Sequence, residues 1–149
     1  LGLALANQGK INQAADAFRE ATSFSPKHVG DHYNLACMQS LLGKTPEAKE
    51  AFRNVLKMEP DHVESHNNLA IILFNEGKLE AAVEHYRHAL RLRPQFAIAH
   101  NNLGLALQQL GRLEEAAIHY RRALQLQPDY EVAAQRLKTV ELQLQGEDQ

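Results

Sequence analysis

The sequence of 149 residues has little that would define a disulfide-rich, nucleic-acid-binding or membrane-spanning protein. Its single cysteine, Cys37, excludes an internal disulfide framework. The 18 acidic residues nearly balance the 16 Lys and Arg residues and are interspersed with them, so no basic surface for nucleic acid is indicated. Uninterrupted apolar runs are only a few residues long, as from Leu69 to Phe74, so no membrane span is expected.

Motifs of catalysis and nucleotide binding are missing as well. The sequence has no serine or cysteine nucleophile motif, zinc-protease motif or dinucleotide fingerprint. The run from Gly43 to Thr45 resembles the end of a phosphate-binding loop, but Met38 stands where that loop needs its first glycine. The same position recurs in the run from Gly77 to Leu79, which indicates a repeated turn. We therefore expect no enzyme activity and no cofactor.

What the sequence does have is a strict period of 34 residues. The stretches that begin at Pro60 and Pro94 match at 16 of 34 positions without a gap. The prolines and glycines that keep this spacing are Pro26, Pro60, Pro94, Pro128, Gly9, Gly43, Gly77 and Gly111. A fixed period of this length indicates a stacked array of helical repeats, and glycine at a constant position indicates a left-handed helix end.

The residues within the period resemble the tetratricopeptide repeat. The last full period carries His100-x2-Leu103-Gly104-x2-Leu107, then Ala116-x3-Tyr120, Ala123 and Pro128. This resembles the family pattern W-x2-L-G-x2-Y, A-x3-F and P. The resemblance implies an all-α fold, an α-solenoid in which antiparallel helix pairs form a right-handed superhelix. The HNNL run is also similar to the repeat region of O-linked N-acetylglucosamine transferases.

The register predicts one array over residues 1–145. It comprises a truncated repeat at 1–25, full repeats at 26–59, 60–93 and 94–127, a capping helix within 128–145, and a frayed tail at 146–149. Thr45, Asp61 and Asp129 are predicted helix caps, and Pro46 suits a first helical turn. Because the register begins inside a repeat, we expect the chain to be a fragment of a longer array that ends at the capping helix.

Small residues recur where two helices would need to approach closely. Large residues at other constant positions would fill the space between the helices and stabilise the array. The small positions are Gly2, Ala36, Ala70 and Gly104; Ala14, Ala48, Ala82 and Ala116; and Ala21, Val55, Ala89 and Ala123. The large ones are Leu35, Leu69, Leu103, Phe52, Tyr86 and Tyr120.

The resemblance also implies a binding surface, because the first helix of each such repeat lines the inner groove. Its second, fifth, sixth, ninth, twelfth and thirteenth positions face a bound peptide, and here, counted from Val29, Val63 and Ala97, they hold amides beside apolar side chains. An amide both donates and accepts, so it can bind the backbone of an extended peptide of almost any sequence. The predicted peptide-binding residues are Tyr33, Asn34, Asn67, Asn68, Ile71, Phe74, Asn75, Asn101, Asn102, Leu105, Gln108 and Gln109. The alternatives are a bond to the neighbouring repeat for the sixth-position asparagines and simple solvation for the fifth-position ones.

These observations predict a non-catalytic scaffold that binds a protein or peptide in its groove. Repeats that hold acidic C-termini use groove lysines and arginines, but Arg136 is the only sixth-position base here, so we expect a partner that is not strongly acidic. Two alternatives are a substrate-recruiting arm of a larger enzyme, such as a glycosyltransferase, and a module that self-associates through Leu1, Leu3 and Leu5 of the truncated repeat. The sequence shows no signal peptide and only slightly favours the cytoplasm.

The eight histidines raise the question of a metal site. The pairs His28/His32 and His62/His66 have the i, i+4 spacing of helical metal ligands. Their positions hold aromatic rings elsewhere in the repeats or in the family, however, and no Cys or carboxylate lies at ligand spacing, so we expect packing roles and no metal. Three histidines on second helices are predicted to be solvated: His85, His88 and His119.

Overall fold

The computed structural model describes residues 1–147, and this part of the chain is built from α-helices without any β-strand. The helices are α1 (Gly2–Asn7), α2 (Ile11–Phe24), α3 (Val29–Leu41), α4 (Thr45–Met58), α5 (Val63–Asn75), α6 (Leu79–Leu92), α7 (Ala97–Gln109), α8 (Leu113–Leu126) and α9 (Glu131–Glu147). Within the described residues, no helix combines the length and apolarity needed to span a membrane.

Contacts divide the chain into two compact units, one from Leu1 to Leu69 and the other from Ala70 onward. In the first unit α1 packs on α2, α2 on α3, and α3 on α4. In the second unit α6 packs on α7, α7 on α8, and α8 on α9, and α7 also contacts α9 directly. Within each unit these helices thus pack on their neighbours in sequence, which is the arrangement that stacked helix pairs require. The continuity of one array over residues 1–145 stays a prediction.

The spaced glycines end the first helices in the left-handed conformation that the sequence predicts. Gly9, Gly43, Gly77 and Gly111 have φ angles of 73°, 71°, 74° and 74°. A Cβ atom added at any of them would meet nothing within 4 Å, so the backbone conformation is what favours glycine there. Each of the helices α1, α3, α5 and α7 ends two residues before its glycine.

Two predicted helix ends differ from the structure. Thr45 as an N-cap is wrong: it is the first residue of α4, Lys44 precedes it, and no side chain caps this end, although Pro46 does lie in the first turn. The predicted tail at 146–149 is partly wrong, since α9 continues through Gly146 to Glu147 because no proline interrupts its pattern. The last two residues lie outside the described part of the chain.

Hydrogen bonds at the N-terminal ends of α5 and α9 involve residues next to the predicted caps. His62 directly precedes α5, and its Nδ1 accepts a hydrogen bond from the Ser65 backbone N–H at 3.2 Å. At α9 the Glu131 N–H donates to the Asp129 carbonyl at 2.9 Å. The side chains of Asp61 and Asp129 as caps stay predictions.

Small residues allow close helix contacts in both units. Ala14, Ala48, Ala82 and Ala116 are all completely buried. A Cβ on Gly2 would lie 2.7 Å from the Phe18 ring, and a Cβ on Gly104 would lie 2.8 Å from the Tyr120 ring. The glycines therefore let α1 and α7 approach an aromatic ring of the next helix more closely than a side chain would permit.

Candidate peptide-binding site on the first helices

The sixth position of one first helix bonds to the fifth position of the first helix before it. In the first unit Asn68 Nδ2 of α5 donates to the Tyr33 hydroxyl of α3 at 3.3 Å. In the second unit the Arg136 guanidinium of α9 donates to Asn101 Oδ1 of α7 at 3.0 Å. The same step of 35 residues appears in both units, which supports the alternative that sixth-position side chains hold neighbouring repeats in register.

The fifth-position asparagines are largely buried rather than solvated. Asn67 is 5% exposed and Asn101 is 2% exposed. Each donates from Nδ2 to the sixth-position amide beside it, Asn67 to Asn68 Oδ1 at 3.3 Å and Asn101 to Asn102 Oδ1 at 3.2 Å. A buried amide that donates in this way fixes the orientation of its neighbour, so we assign both to positioning the sixth-position asparagines.

Tyr33 belongs to a packed cluster in the first unit. Its ring centroid lies 4.8 Å from that of His62 and 6.0 Å from that of Phe52. Burial and the neighbouring Cys37 raise the pKa of Tyr33, and burial raises the pKa of the Cys37 thiol. The phenol and thiol thus stay neutral at pH 7, and Asn68 Nδ2 lies 4.0 Å from the Cys37 sulfur.

A cleft of about 530 Å³ lies between α7 and α9 in the second unit. We call it the amide cleft because most of the residues that line it carry side-chain amides. Gln108 is held from two sides, since its Oε1 accepts from the Tyr120 hydroxyl at 2.9 Å and its Nε2 donates to Gln143 Oε1 at 3.4 Å. The residues that line the amide cleft are Leu105, Gln108, Gln109, Gln135, Arg136, Thr139 and Gln143. A mostly amide lining with one aliphatic side chain suits a polar backbone more than an apolar ligand.

Four of these lining residues come from α9 and are not among the predicted peptide-binding residues. Gln135, Arg136, Thr139 and Gln143 occupy the fifth, sixth, ninth and thirteenth positions counted from Glu131. Continuing the 34-residue register past Pro128 identifies all four. The prediction of a capping helix within residues 128–145 treats α9 as the end of the array, which obscured its continuity with α7.

The other predicted site residues lie outside the amide cleft. Asn34 is half-buried and lines a cavity of about 310 Å³ beside Leu1, Leu3 and Phe18 in the first unit. In the second unit Ile71, Phe74 and Asn102 are half-buried and Asn75 is exposed. The structure thus brings Leu105, Gln108 and Gln109 together in the amide cleft, and a partner contact by the others stays a prediction.

The histidines on the first helices have a hydrogen-bonding role besides packing. The Nε2 atoms of His32, His66 and His100 lie 2.8, 2.8 and 3.1 Å from the carbonyl oxygens of the repeat prolines six residues earlier. The prediction that His119 is solvated is wrong: its Nδ1 lies 3.0 Å from His100 Nδ1 and its ring is partly buried. No group of three or more metal-ligating side chains occurs among the described residues.

The recurring helix pairs, left-handed glycines and small-residue contacts define an all-α helical-repeat solenoid. The chain belongs to the tetratricopeptide repeat family. Models described as tetratricopeptide repeat match residues 1–28, 32–62, 51–84 and 97–130, and one described as TPR repeat matches 71–111. These matches confirm the resemblance inferred from the repeat pattern.

Solved structures confirm the fold class. A crystal structure of MamA has a TM-score of 0.86 at 20% identity, and the match covers 94% of this chain and 82% of the MamA chain. PilF of Pseudomonas aeruginosa has a TM-score of 0.87 at 22% identity and covers 98% of this chain and 67% of its own. The first TPR of Spaghetti (RPAP3), bound to the HSP90 peptide SRMEEVD, has a TM-score of 0.75 at 24% identity and covers 78% of this chain and 92% of its own. No curated protein matched the sequence significantly.

Helical-repeat solenoids of this kind serve as protein-interaction surfaces, so the chain is an interaction module.

Proposed function

We propose that this chain is a non-catalytic scaffold that holds an extended segment of a partner protein on its first helices. The amide cleft between α7 and α9 carries the proposal, because it offers several side-chain amides at one opening of about 530 Å³. An extended peptide presents unpaired N–H and C=O groups along its backbone, and amides can satisfy both.

Each component of the amide cleft has a distinct part in the proposal. Gln109, Gln135 and Gln143 are exposed and would bond to the peptide backbone, whereas Gln108 is held by Tyr120 and shapes the wall. Leu105 supplies the apolar contact. Each backbone bond contributes about 0.5–1.5 kcal/mol net, so three or four of them contribute about 1.5–6 kcal/mol. A micromolar complex needs about 8 kcal/mol, and the remainder would come from Leu105 and from contacts along the other first helices.

Among the lining residues that the structure describes, the amide cleft offers a partner only one cation, Arg136, which is fewer than a strongly acidic segment needs. Its guanidinium is engaged by Asn101, and it is the only charged residue in the lining. The RPAP3 structure holds an acidic HSP90 peptide, and we propose that this chain differs by accepting segments that are not strongly acidic. Asn34, Asn68 and Asn102 would extend the contact along the first helices. Roles as an enzyme's recruiting arm or as a self-assembling module stay predictions.

Filling the amide cleft is expected to abolish most peptide binding without unfolding the protein. Thr139 is exposed on α9 and faces the cleft, so Thr139→Trp places an indole where the peptide backbone would lie. Peptides of twelve random residues are first selected by display against the wild-type protein. Their binding to wild type and variant is then compared by calorimetry, and we expect at least about a tenfold weaker affinity, which corresponds to about 1.4 kcal/mol.

The matched control is Lys138→Trp, which adds the same ring one residue earlier at an exposed position that does not line the amide cleft. This control should bind the selected peptides with wild-type affinity. Equal loss in both variants, or no loss in either, contradicts the proposed site.

A further inference from the structure

His100 of α7 and His119 of α8 meet edge to edge in the second unit. Their Nδ1 atoms are 3.0 Å apart and their ring centroids 5.2 Å apart, with 28° between the ring planes. Two nearly coplanar rings whose nearest atoms are nitrogens at this distance share a hydrogen bond through those nitrogens. One imidazole therefore donates a proton to the other.

The direction of this bond follows from the other side of His100. Its Nε2 lies 3.1 Å from the Pro94 carbonyl oxygen, which can only accept, so Nε2 carries a proton. In neutral His100 the Nδ1 atom is then a bare acceptor, and the proton between the rings belongs to His119 Nδ1. A continuous chain of donors runs from α8 through α7 to the start of the repeat.

Charged groups on two helices, α6 and α8, face the pair. Arg87 of α6 and Arg122 of α8 disfavour added positive charge, and Glu115 of α8 favours it. Burial and, next, the charge of His100 lower the pKa of His119 to about 4, and burial lowers the pKa of His100. Two mostly apolar cavities of about 290 and 310 Å³ flank the pair, and Arg91 and Arg121 also border them.

We propose that His100 and His119 form a proton-sensitive lock between α7 and α8, which is closed at neutral pH and opens in acid when both rings become charged. One added proton, on His119 Nε2, leaves the bond intact because Nδ1 still donates. A second proton, on His100 Nδ1, places two N–H donors opposite each other without an acceptor, so the hydrogen bond between the rings is lost.

The sign of the pH dependence follows from counting protons. In the unfolded chain both histidines titrate near pH 6.5. The closed lock binds at most one added proton, and the lowered pKa values of both rings disfavour that proton as well. The unfolded state thus binds more protons below pH 6.5, and the stability that the lock contributes above that value is lost as the pH falls toward 4. His100 is buried and His119 is partly buried. We expect a change on the order of tenfold in the unfolding equilibrium constant between pH 7 and pH 5.

Urea denaturation of wild type and His119→Ala at pH 7 and pH 5 tests the lock. The variant copies the first unit, where Ala51 occupies the equivalent position and His32 keeps its contact with Pro26. The wild-type constant is expected to rise on the order of tenfold more than that of the variant over this interval. Parallel loss of stability in both proteins overturns the lock.

A matched control and a second readout separate the lock from simple packing. Ile118→Ala removes a non-titrating neighbour that lines the same cavity, and it should lower stability equally at both pH values. Nitrogen NMR of labelled histidine in the wild type should show His119 protonated at Nδ1 and His100 at Nε2 at pH 7. The opposite tautomer of either ring overturns the lock even if the alanine variant does not fold.

Discussion

Replacing Tyr120 with alanine is expected to lower the free energy of unfolding by about 3–5 kcal/mol. Tyr120 is fully buried in α8, and its ring lies against Gly104 of α7, where no side chain could move in to fill the space. Its hydroxyl donates to Gln108, and burial raises its pKa to about 12, so it stays a neutral donor. The substitution leaves a large cavity and an amide without its donor.

Tyr120→Phe is the matched control for this loss. It keeps the ring and removes only the bond to Gln108, so we expect a loss of about 0.5–1.5 kcal/mol in urea denaturation. Phe18 and Phe52 occupy the equivalent positions of the first unit and are buried there, which shows that the ring alone fits this fold. A loss for phenylalanine as large as that for alanine would contradict the packing argument.

Gly104→Val is expected to cost about 1–3 kcal/mol, because it forces atoms into a space already filled by Tyr120. A Cβ at this position would stand 2.8 and 2.9 Å from two ring carbons. Gly104→Ala is expected to be less destabilising than the valine, since it adds only the Cβ atom and gains about 1 kcal/mol of helix preference over glycine. Ala36, which occupies the same position in the first unit, is fully buried.

Combining Gly104→Val with Tyr120→Ala tests that reasoning directly. Truncating the ring removes the atoms that the valine would meet, so the cost of the valine should shrink or vanish in the double variant. Residues in contact show such coupling, whereas independent sites add. Additive costs, measured by urea denaturation of the four proteins, would show that the valine acts elsewhere.

The helix boundaries could be predicted because their causes are local. Gly43, Gly77 and Gly111 each adopt a left-handed backbone that other residues rarely do, and their spacing reports the repeat before any tertiary contact is known. The buried alanine positions follow from the same periodicity. The Thr45 cap was wrong because a side chain that suits a cap can equally well sit in the first turn of a helix.

The side-chain hydrogen bonds of the candidate site could not be predicted from the sequence, because they depend on how separate helices pack. Asn101 is buried, and its Oδ1 accepts a hydrogen bond from Arg136 of α9. The bond between His100 and His119 requires α7 and α8 to align the two rings, and the sequence of α8 alone suggested a solvated residue. The residues of α9 that line the amide cleft could have been predicted from the 34-residue register, because their positions repeat those of α7.

The most direct test of the proposed function is to map a bound peptide by NMR on the side-chain amides. A display-selected peptide is titrated into labelled protein, and the NH2 signals of the glutamines are followed. The binding site between α7 and α9 predicts that Gln109, Gln135 and Gln143 shift together at saturating peptide. Shifts confined to second-helix residues such as Gln125 of α8, with the cleft glutamines unchanged, would contradict it.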